Sequence, residues 1–346
     1  MAEAAEGIDA AGVAAWLGER VDDLDPPLSF AAIEGGRSNL TYRVTDAAGR
    51  SFILRRPPLS GVLESAHDMG REHRIISALE GTDVPVPRTI GFEPDETVTG
   101  APFYAMEFVE GPVIRDAAAA REHLDADARR AVAFALVDTL VALHAVDPDD
   151  VGLGDLARKE DYIARQLKRW HGQYHKARSR DLPAIDEVHG RLVSSIPDQG
   201  RAAIVHGDYR LDNVIVSPRG ELRAVLDWEL CTLGDPMADL GLLMVYWSEP
   251  GDDLVPLQSA PTIVDGFPTR RELAERYAER SGRDIGELDY YVAFGLWKLA
   301  VILEGVYGRY RSGAYGDVPE SVWGPFGDIV LRLLEQASEA MSGTGR

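Results

Sequence analysis

The stretch "IVHGDYRLDNVIVSP", Ile204 to Pro218, sets a histidine, two aspartates, an arginine and an asparagine between two runs of β-branched residues. A hairpin turn needs only one or two of Gly, Asn, Asp or Pro to set its backbone angles. The polar types here are more particular than that, so the segment reads either as a polar hairpin loop or as a catalytic loop. The fold depends on which reading holds, because a catalytic loop at this point requires partners both before and after it.

After it, the chain offers a second acid. Asp208 and Asn213 are five residues apart, and Asp227 follows fourteen residues later at the end of the apolar run "AVLDWE". Pairing of 213–217 with 221–227 as a hairpin returns Asp227 toward Asn213. A carboxylate and an amide oxygen facing one volume suit Mg²⁺, a hard ion that takes a few protein oxygens and completes its shell with phosphate and water. Asp208 is then left to orient a hydroxyl and accept its proton.

Before it, the first third of the chain alternates with period two between turn signals, the pattern of an antiparallel meander. The expected strands are 29–34, 40–45, 51–56, 88–93 and 103–110, with a helix over Glu64 to Glu80 between the third and fourth. From Asp125 onward apolar residues recur at helical spacing: helices are expected at 125–145, within 156–196, and at 236–247, 267–282, 286–311 and 319–341. Three short strands, 202–206, 213–217 and 221–227, interrupt them. The expected organisation is an N-terminal helical extension (1–27), a small β-rich lobe (28–111) and a mainly helical lobe (112–346), with a ligand-binding cleft between the lobes. The long Pro-containing segment 248–268 reads as a surface excursion near a site.

Composition excludes several classes. A formal net charge of −21 over 346 residues opposes non-specific nucleic-acid or anionic-membrane binding. The longest strongly apolar stretches, such as Leu240 to Trp247, fall short of the roughly 20 residues a bilayer crossing needs. The single cysteine, Cys231, permits no internal disulfide and fits a reducing cytoplasm, where it reads as a small core filler. One segment opposes the global sign: 158–180 holds eight Lys or Arg against Glu160 and Asp161. It reads either as a solvated helix face or as a surface for an anionic ligand.

With these residues in view, a resemblance can be named. "HGDYRLDN" resembles the protein-kinase catalytic loop H-R-D-x-x-x-x-N, and "LDWE" resembles its D-F-G element. With H-G-D in place of H-R-D, the chain looks like the aminoglycoside phosphotransferase and choline kinase branch. "FILRRPP", "LDWELCTLGDPMADLG" and "EGVYGRYRSG" look most like the kinase-like domains related to those fused to acyl-CoA dehydrogenases. The resemblance runs over roughly 28–340 and implies an α+β, two-lobed protein-kinase-like fold: a small antiparallel β lobe with one helix, and a larger helical lobe.

It also implies roles. Asp208 would be the catalytic base, and Asn213 and Asp227 would hold Mg²⁺ on the phosphates of ATP. Gly35, Gly36, Ser38 and Asn39 of "EGGRSNLTY" would cover those phosphates. Arg55 would bind the α- and β-phosphates with Glu72 as its ion-pair partner. Main-chain groups of Glu107, Phe108 and Val109 would contact the adenine. Arg210 would neutralise the transferring phosphoryl group, the alternative being a salt bridge to Asp212 or another carboxylate. His206 reads as a packing residue, and Asp235 and Asp239 as scaffold carboxylates, Asp239 tied to the catalytic-loop backbone.

Two departures bear on function. Arg55 stands where the family carries lysine, and its planar guanidinium does not reproduce an ammonium's geometry; this motivates a nucleotide-binding pseudokinase as a rival reading. Gly207 replaces the arginine that in protein kinases pairs with a phosphorylated activation loop, and the short segment after Asp227 leaves no room for such a loop. The expected substrate is therefore a hydroxylated small molecule, either an anionic hydroxyacyl-CoA-like metabolite or an aminoglycoside. A metal-dependent hydrolase built on His206, Asp208 and Asp227 lacks H-x-H or H-E-x-x-H spacing.

Overall fold

A computed structural model describes residues 6–33, 39–59, 68–252 and 260–343. The chain divides into two compact units, one made of residues 1–111 with 223–230, the other of 112–222 with 231–346.

The first unit is built on a five-stranded antiparallel sheet. Its strands are β1 (Ser29–Ala32), β2 (Leu40–Thr45), β3 (Ser51–Arg56), β4 (Thr89–Glu93) and β5 (Phe103–Glu107), in the order β1-β2-β3-β5-β4. In β2 the period-two pattern holds: Tyr42 and Val44 are buried and Arg43 is exposed. Two helices belong to this unit, α1 (Ala10–Gly18) and α2 (Met69–Leu79). Asp9 and Asp68 cap them, accepting from the N–H groups of Ala11 and Arg71 and so satisfying amides the first turn leaves open.

The N-terminal segment is not a separate extension. Val13, Trp16 and Leu17 of α1 share one core with Tyr42, Val44, Phe52, Leu54, Phe103 and Ala105 of the sheet. Trp16 meets Phe103 edge-on at 4.9 Å and donates its indole N–H to Glu93 at 2.8 Å. A nine-residue helix has too few internal hydrogen bonds to stand alone, so its apolar stripe is stable only against the sheet.

The second unit holds α3 (Ala117–His123), α4 (Ala126–Ala145), α5 (Tyr162–Ala177), α6 (Pro183–Ser194), α7 (Met237–Tyr246), α8 (Arg270–Ser281), α9 (Leu288–Arg311), α10 (Glu320–Trp323) and α11 (Pro325–Ala340). Short strands β6 (Ala203–Val205), β7 (Val214–Val216), β8 (Leu222–Val225) and β9 (Thr232–Gly234) lie between them, β6 pairing with β9. The unit boundary falls inside β8. The expected helix 319–341 is broken at Gly324-Pro325, because proline offers no N–H and fits only the first turn of a new helix. Helix α3, "AAAAREH", carries no apolar stripe and was not expected; Asp116 starts it by accepting from Ala119 N–H.

Helix α9 is the centre of this unit, packing against α5, α6, α7 and α11. Among the described residues it is the one helix long and apolar enough to cross a membrane by length and composition. Here it is a core helix with charged groups inside: Glu304 is buried and accepts from Arg180 at 2.9 Å and Ser179 at 3.0 Å. The excursion 248–268 is described only at its ends, where Glu249 and Asp252 both pair with Arg270.

Candidate active site

The site residues fall in two groups, one in each unit. In the second unit, β6 leads straight into the polar loop. His206 is fully buried, and Gly207 follows with φ of 85°, a left-handed conformation that glycine adopts without a steric penalty. Both backbone N–H groups are captured by one carboxylate: His206 N–H donates to Asp239 Oδ2 at 2.6 Å and Gly207 N–H to Asp239 Oδ1 at 2.9 Å. Asp239 lies in the first turn of α7, so a helix from the core dictates the loop's path. His144 braces it from behind, with Nε2 3.4 Å from Asp239 Oδ2 and Nδ1 2.8 Å from the Tyr277 hydroxyl. Burial works against charge on Asp239, yet the hydrogen bonds from His144 and Gly207 hold its carboxyl below the ordinary aspartate value.

Asp208 comes next, with one-fifth of its side chain exposed. The amide nitrogen of Asn213 donates to its backbone oxygen at 2.8 Å and to Oδ2 at 3.0 Å. With the nitrogen so used, Oδ1 of Asn213 is the side-chain atom a hard cation would take. Arg210 does not stand apart from this loop. Its Nε is 3.3 Å from Asp208 Oδ2, its Nη1 is 3.0 Å from Asp212 Oδ2, and its guanidinium lies 4.9 Å from the Tyr246 ring centre. The salt bridge to Asp212 weighed from the sequence is present, and the same guanidinium also touches Asp208.

Two groups in this loop's surroundings, Tyr246 and Lys298, escaped sequence reading. Tyr246, at the end of α7, is hydrogen-bonded to Asp208, and burial followed by the negative charge of Asp208 pushes its hydroxyl pKa up. Asp212 is raised as well, by burial first and by Asp208 beside it, against the pull of Arg210. Lys298, buried on α9, donates to the backbone oxygen of Gly207 at 3.3 Å, and its pKa is lowered by burial against the pull of Asp208 and Asp239. A lone cation within the apolar run "FGLWKLAVIL" was the available signal for Lys298. No local pattern marked Tyr246.

Asp235, two residues before α7, is the other scaffold acid. It accepts from Met237 N–H at 3.0 Å and from Tyr291 hydroxyl at 2.7 Å, and burial raises its pKa. Cys231 is buried.

In the first unit, Arg55 of β3 is the organising residue. Its Nε is 3.6 Å from Glu72 Oε2 and its Nη2 is 3.7 Å from Asp227 Oδ1. Glu72 is buried on α2 and also accepts from the Tyr104 hydroxyl at 2.9 Å and from Asn39 Nδ2 at 2.9 Å. Burial opposes the charge of Arg55, yet Tyr104, Glu72, Asp227 and Glu229 together push its pKa above the ordinary arginine value. Its Nε is buried and faces Glu72 at a distance beyond a hydrogen bond. Asp227 takes φ of 65°, uncommon for a residue with a side chain and concentrated at functional positions.

Asn39 is itself buried, its amide directed at Glu72 and, at 3.5 Å, at Glu229. Gly35, Gly36 and Ser38 lie outside the described residues. Of the expected adenine contacts, Glu107 spends its main-chain N–H on Arg88 O and its carboxylate on the Arg88 guanidinium, both at 2.8 Å. Phe108 is faced by Arg43 at 4.3 Å, and Val109 is half-buried.

Four of the eight cations in the basic segment are committed to ion pairs. Arg158 bonds Asp161, Lys159 bonds Asp149, Arg178 bonds Asp181 and Arg180 bonds Glu304. Arg309 donates to the Tyr315 hydroxyl, and Arg311 to Ser179 O.

The model of the phosphotransferase enzyme family matches residues 29–291. A Ralstonia eutropha JMP134 protein, provisionally described as an aminoglycoside phosphotransferase, is 32% identical with a TM-score of 0.81, over 97% of this chain and 98% of that one. Hygromycin-binding aminoglycoside phosphotransferase APH(4)-Ia is 16% identical with a TM-score of 0.60, over 97% of this chain and 100% of that one, and shares the fold. Mouse acyl-CoA dehydrogenase family member 10 is 36% identical over 83% of this chain and 27% of its own length. Human family member 11 is 31% identical over 88% of this chain and 40% of its own length. The chain thus spans between about a quarter and two-fifths of these two relatives. From its catalytic-loop geometry to the family match over most of its length, the chain belongs to the phosphotransferase enzyme family, with a protein-kinase-like fold.

Proposed function

We propose that this protein transfers the γ-phosphoryl group of ATP to a hydroxyl of a small molecule, with Mg²⁺ as cofactor. The observation that carries the reading is the state of Asp208: a partly exposed carboxylate oriented by Asn213 on a loop whose backbone is clamped by buried Asp239. Asp208 accepts the proton of the acceptor hydroxyl as its oxygen bonds to phosphorus. Arg210 offsets charge on the moving phosphoryl group and, in the resting enzyme, is parked between Asp208 and Asp212. Arg55 takes phosphate oxygens, its guanidinium held by Glu72 and Asp227. Oδ1 of Asn213 and the carboxylate of Asp227 are the oxygen ligands for Mg²⁺, which when bound neutralises phosphate charge. Gly35, Gly36, Ser38 and Asn39 cover the phosphates, Glu72 holds Arg55 in place, and backbone at Glu107, Phe108 and Val109 borders the adenine. Such a reaction needs positioning and charge neutralisation more than covalent help, and these residues supply both. The single cysteine fits a cytoplasmic enzyme.

For the acceptor we favour a hydroxyacyl-CoA-like anion. The support lies in relatives whose names place them among the acyl-CoA dehydrogenases. The basic segment adds less than its charge suggests, since four of its eight cations, Arg158, Lys159, Arg178 and Arg180, are already paired. A ³¹P NMR screen of ATP and Mg²⁺ with hydroxyacyl-CoAs and aminoglycosides in parallel tests both levels. Phosphorylated CoA ester is the expected product; phosphorylation of aminoglycosides alone sinks the acceptor assignment. A second reading, nucleotide binding without transfer, draws on the Arg55–Asp227 pair, which ties up a proposed Mg²⁺ ligand. Tight Mg-ATP binding with no ADP released across the panel would establish it.

A further inference from the structure

Helices α5 and α6 bring together a cluster that phosphoryl transfer does not use. His171 and His175 are one turn apart on α5, so their rings leave the same face of the helix. Asp186 is in the first turn of α6. His171 Nε2 lies 2.7 Å from Asp186 Oδ1, His175 Nε2 lies 3.0 Å from the same oxygen, and the two ring nitrogens are 3.0 Å from each other. Two imidazoles and a carboxylate therefore aim one donor atom each at a single point.

We propose that His171, His175 and Asp186 form a binding site for a divalent transition-metal ion, with Zn²⁺ the best match, that clips α5 to α6. The ligand set is the first reason. Two imidazole nitrogens and one carboxylate oxygen are Zn²⁺ ligands, whereas Mg²⁺ and Ca²⁺ select oxygen. Geometry is the second. Zn²⁺ bonds of about 2.0–2.1 Å in a tetrahedron set the ligand atoms roughly 3.3 Å apart. The two 3.0 Å edges need open by about 0.3 Å and the 2.7 Å edge by about 0.6 Å.

Electrostatics is the third reason. Two imidazole nitrogens held this close repel unless a cation or a shared proton sits between their lone pairs, so the rings are arranged for something positive. The site is also reachable: the side chains of His171, His175 and Asp186 are 27%, 40% and 46% exposed, which leaves an entry path and a fourth position for water. Behind it, His189 stacks flat on His171 at 3.8 Å and leans on Trp297 of α9 at 5.5 Å. That support holds the His171 ring in its plane, the part outer residues play at metal centres.

Zn²⁺ titration of the 346-residue chain, purified without a polyhistidine tag, tests the assignment by calorimetry with thermal melting alongside. The parent chain is expected to bind one Zn²⁺ saturably, not displaced by Mg²⁺, and to melt at a higher temperature with the ion. His175→Ala and Asp186→Asn are each expected to weaken binding at least about tenfold, the scale of losing a metal-site group, and to remove the melting shift. His123→Ala, at an exposed histidine on α3, is expected to change neither. All these substitutions are at exposed side chains, and circular dichroism of each variant checks that its fold is kept. No saturable Zn²⁺ binding by the parent, or binding that persists in both triad variants, overturns the site.

Discussion

Asp208, Arg210 and Arg55 illustrate how far a residue's identity prescribes its role. Asp208→Asn keeps the size of the side chain and its contact with Asn213 but removes the proposed base, so kcat is expected to fall about 10²–10⁴-fold. Mg-ATP affinity, read by equilibrium titration, should hold; retained turnover would remove Asp208 as the base. Arg55→Met leaves Glu72 buried without its ion-pair partner, though Asn39 and Tyr104 still donate to it. A loss of about 1–3 kcal/mol in stability is expected from its urea midpoint, together with loss of nucleotide binding. Arg55→Lys, which restores the charge, should recover stability more than it recovers binding, because an ammonium cannot reach Glu72 and Asp227 with the arginine's fork. The type and spacing of Asp208 and Asn213 were legible in the sequence because the loop is local. The partners of Arg210 were only half legible: Asp212 is two residues away, while Tyr246 arrives from α7.

At the scale of elements, the sheet strands and long helices were readable because their periods are written into consecutive residues, and the capping aspartates mark their starts. Short elements were not. β9 pairs with β6 across nearly thirty residues, and nothing in "TLG" announces a strand. Helix contact is decided the same way. Gly241 on α7 is not a turn glycine: a Cβ there would lie 2.6 Å from the backbone of Tyr291 on α9. Gly241→Ala is expected to push the two helices apart at a cost of about 1–3 kcal/mol, visible as a lower urea midpoint with an unchanged slope. Because α7 also carries Asp239, the same variant should lower kcat. An unchanged midpoint would mean the helices separate freely.

For the whole molecule, pH links these parts. Burial lowers the pKa of His144, and of His73 in the first unit. The folded chain therefore binds fewer protons than the unfolded chain as pH drops below the ordinary histidine value of about 6.5. Stability from these residues is full above that pH and is lost as pH falls through their lowered folded values. Asp212 and Asp235, with raised pKa values, act in the opposite sense but closer to the carboxylate range. The melting temperature is expected to fall from pH 7 to pH 5, less steeply in His144→Gln; a flat profile would contradict the buried neutral imidazole. What the sequence by itself determined was the β-then-α order, the catalytic loop and its spacing, and the family, since each rests on residues near one another in the chain. Tertiary structure alone decided that α1 belongs to the sheet's core, that Lys298 and Tyr246 attend the loop, and that two histidines of a basic helix meet Asp186. Those meetings depend on which apolar faces pack together, and side chains far apart in sequence become neighbours only once that burial is complete.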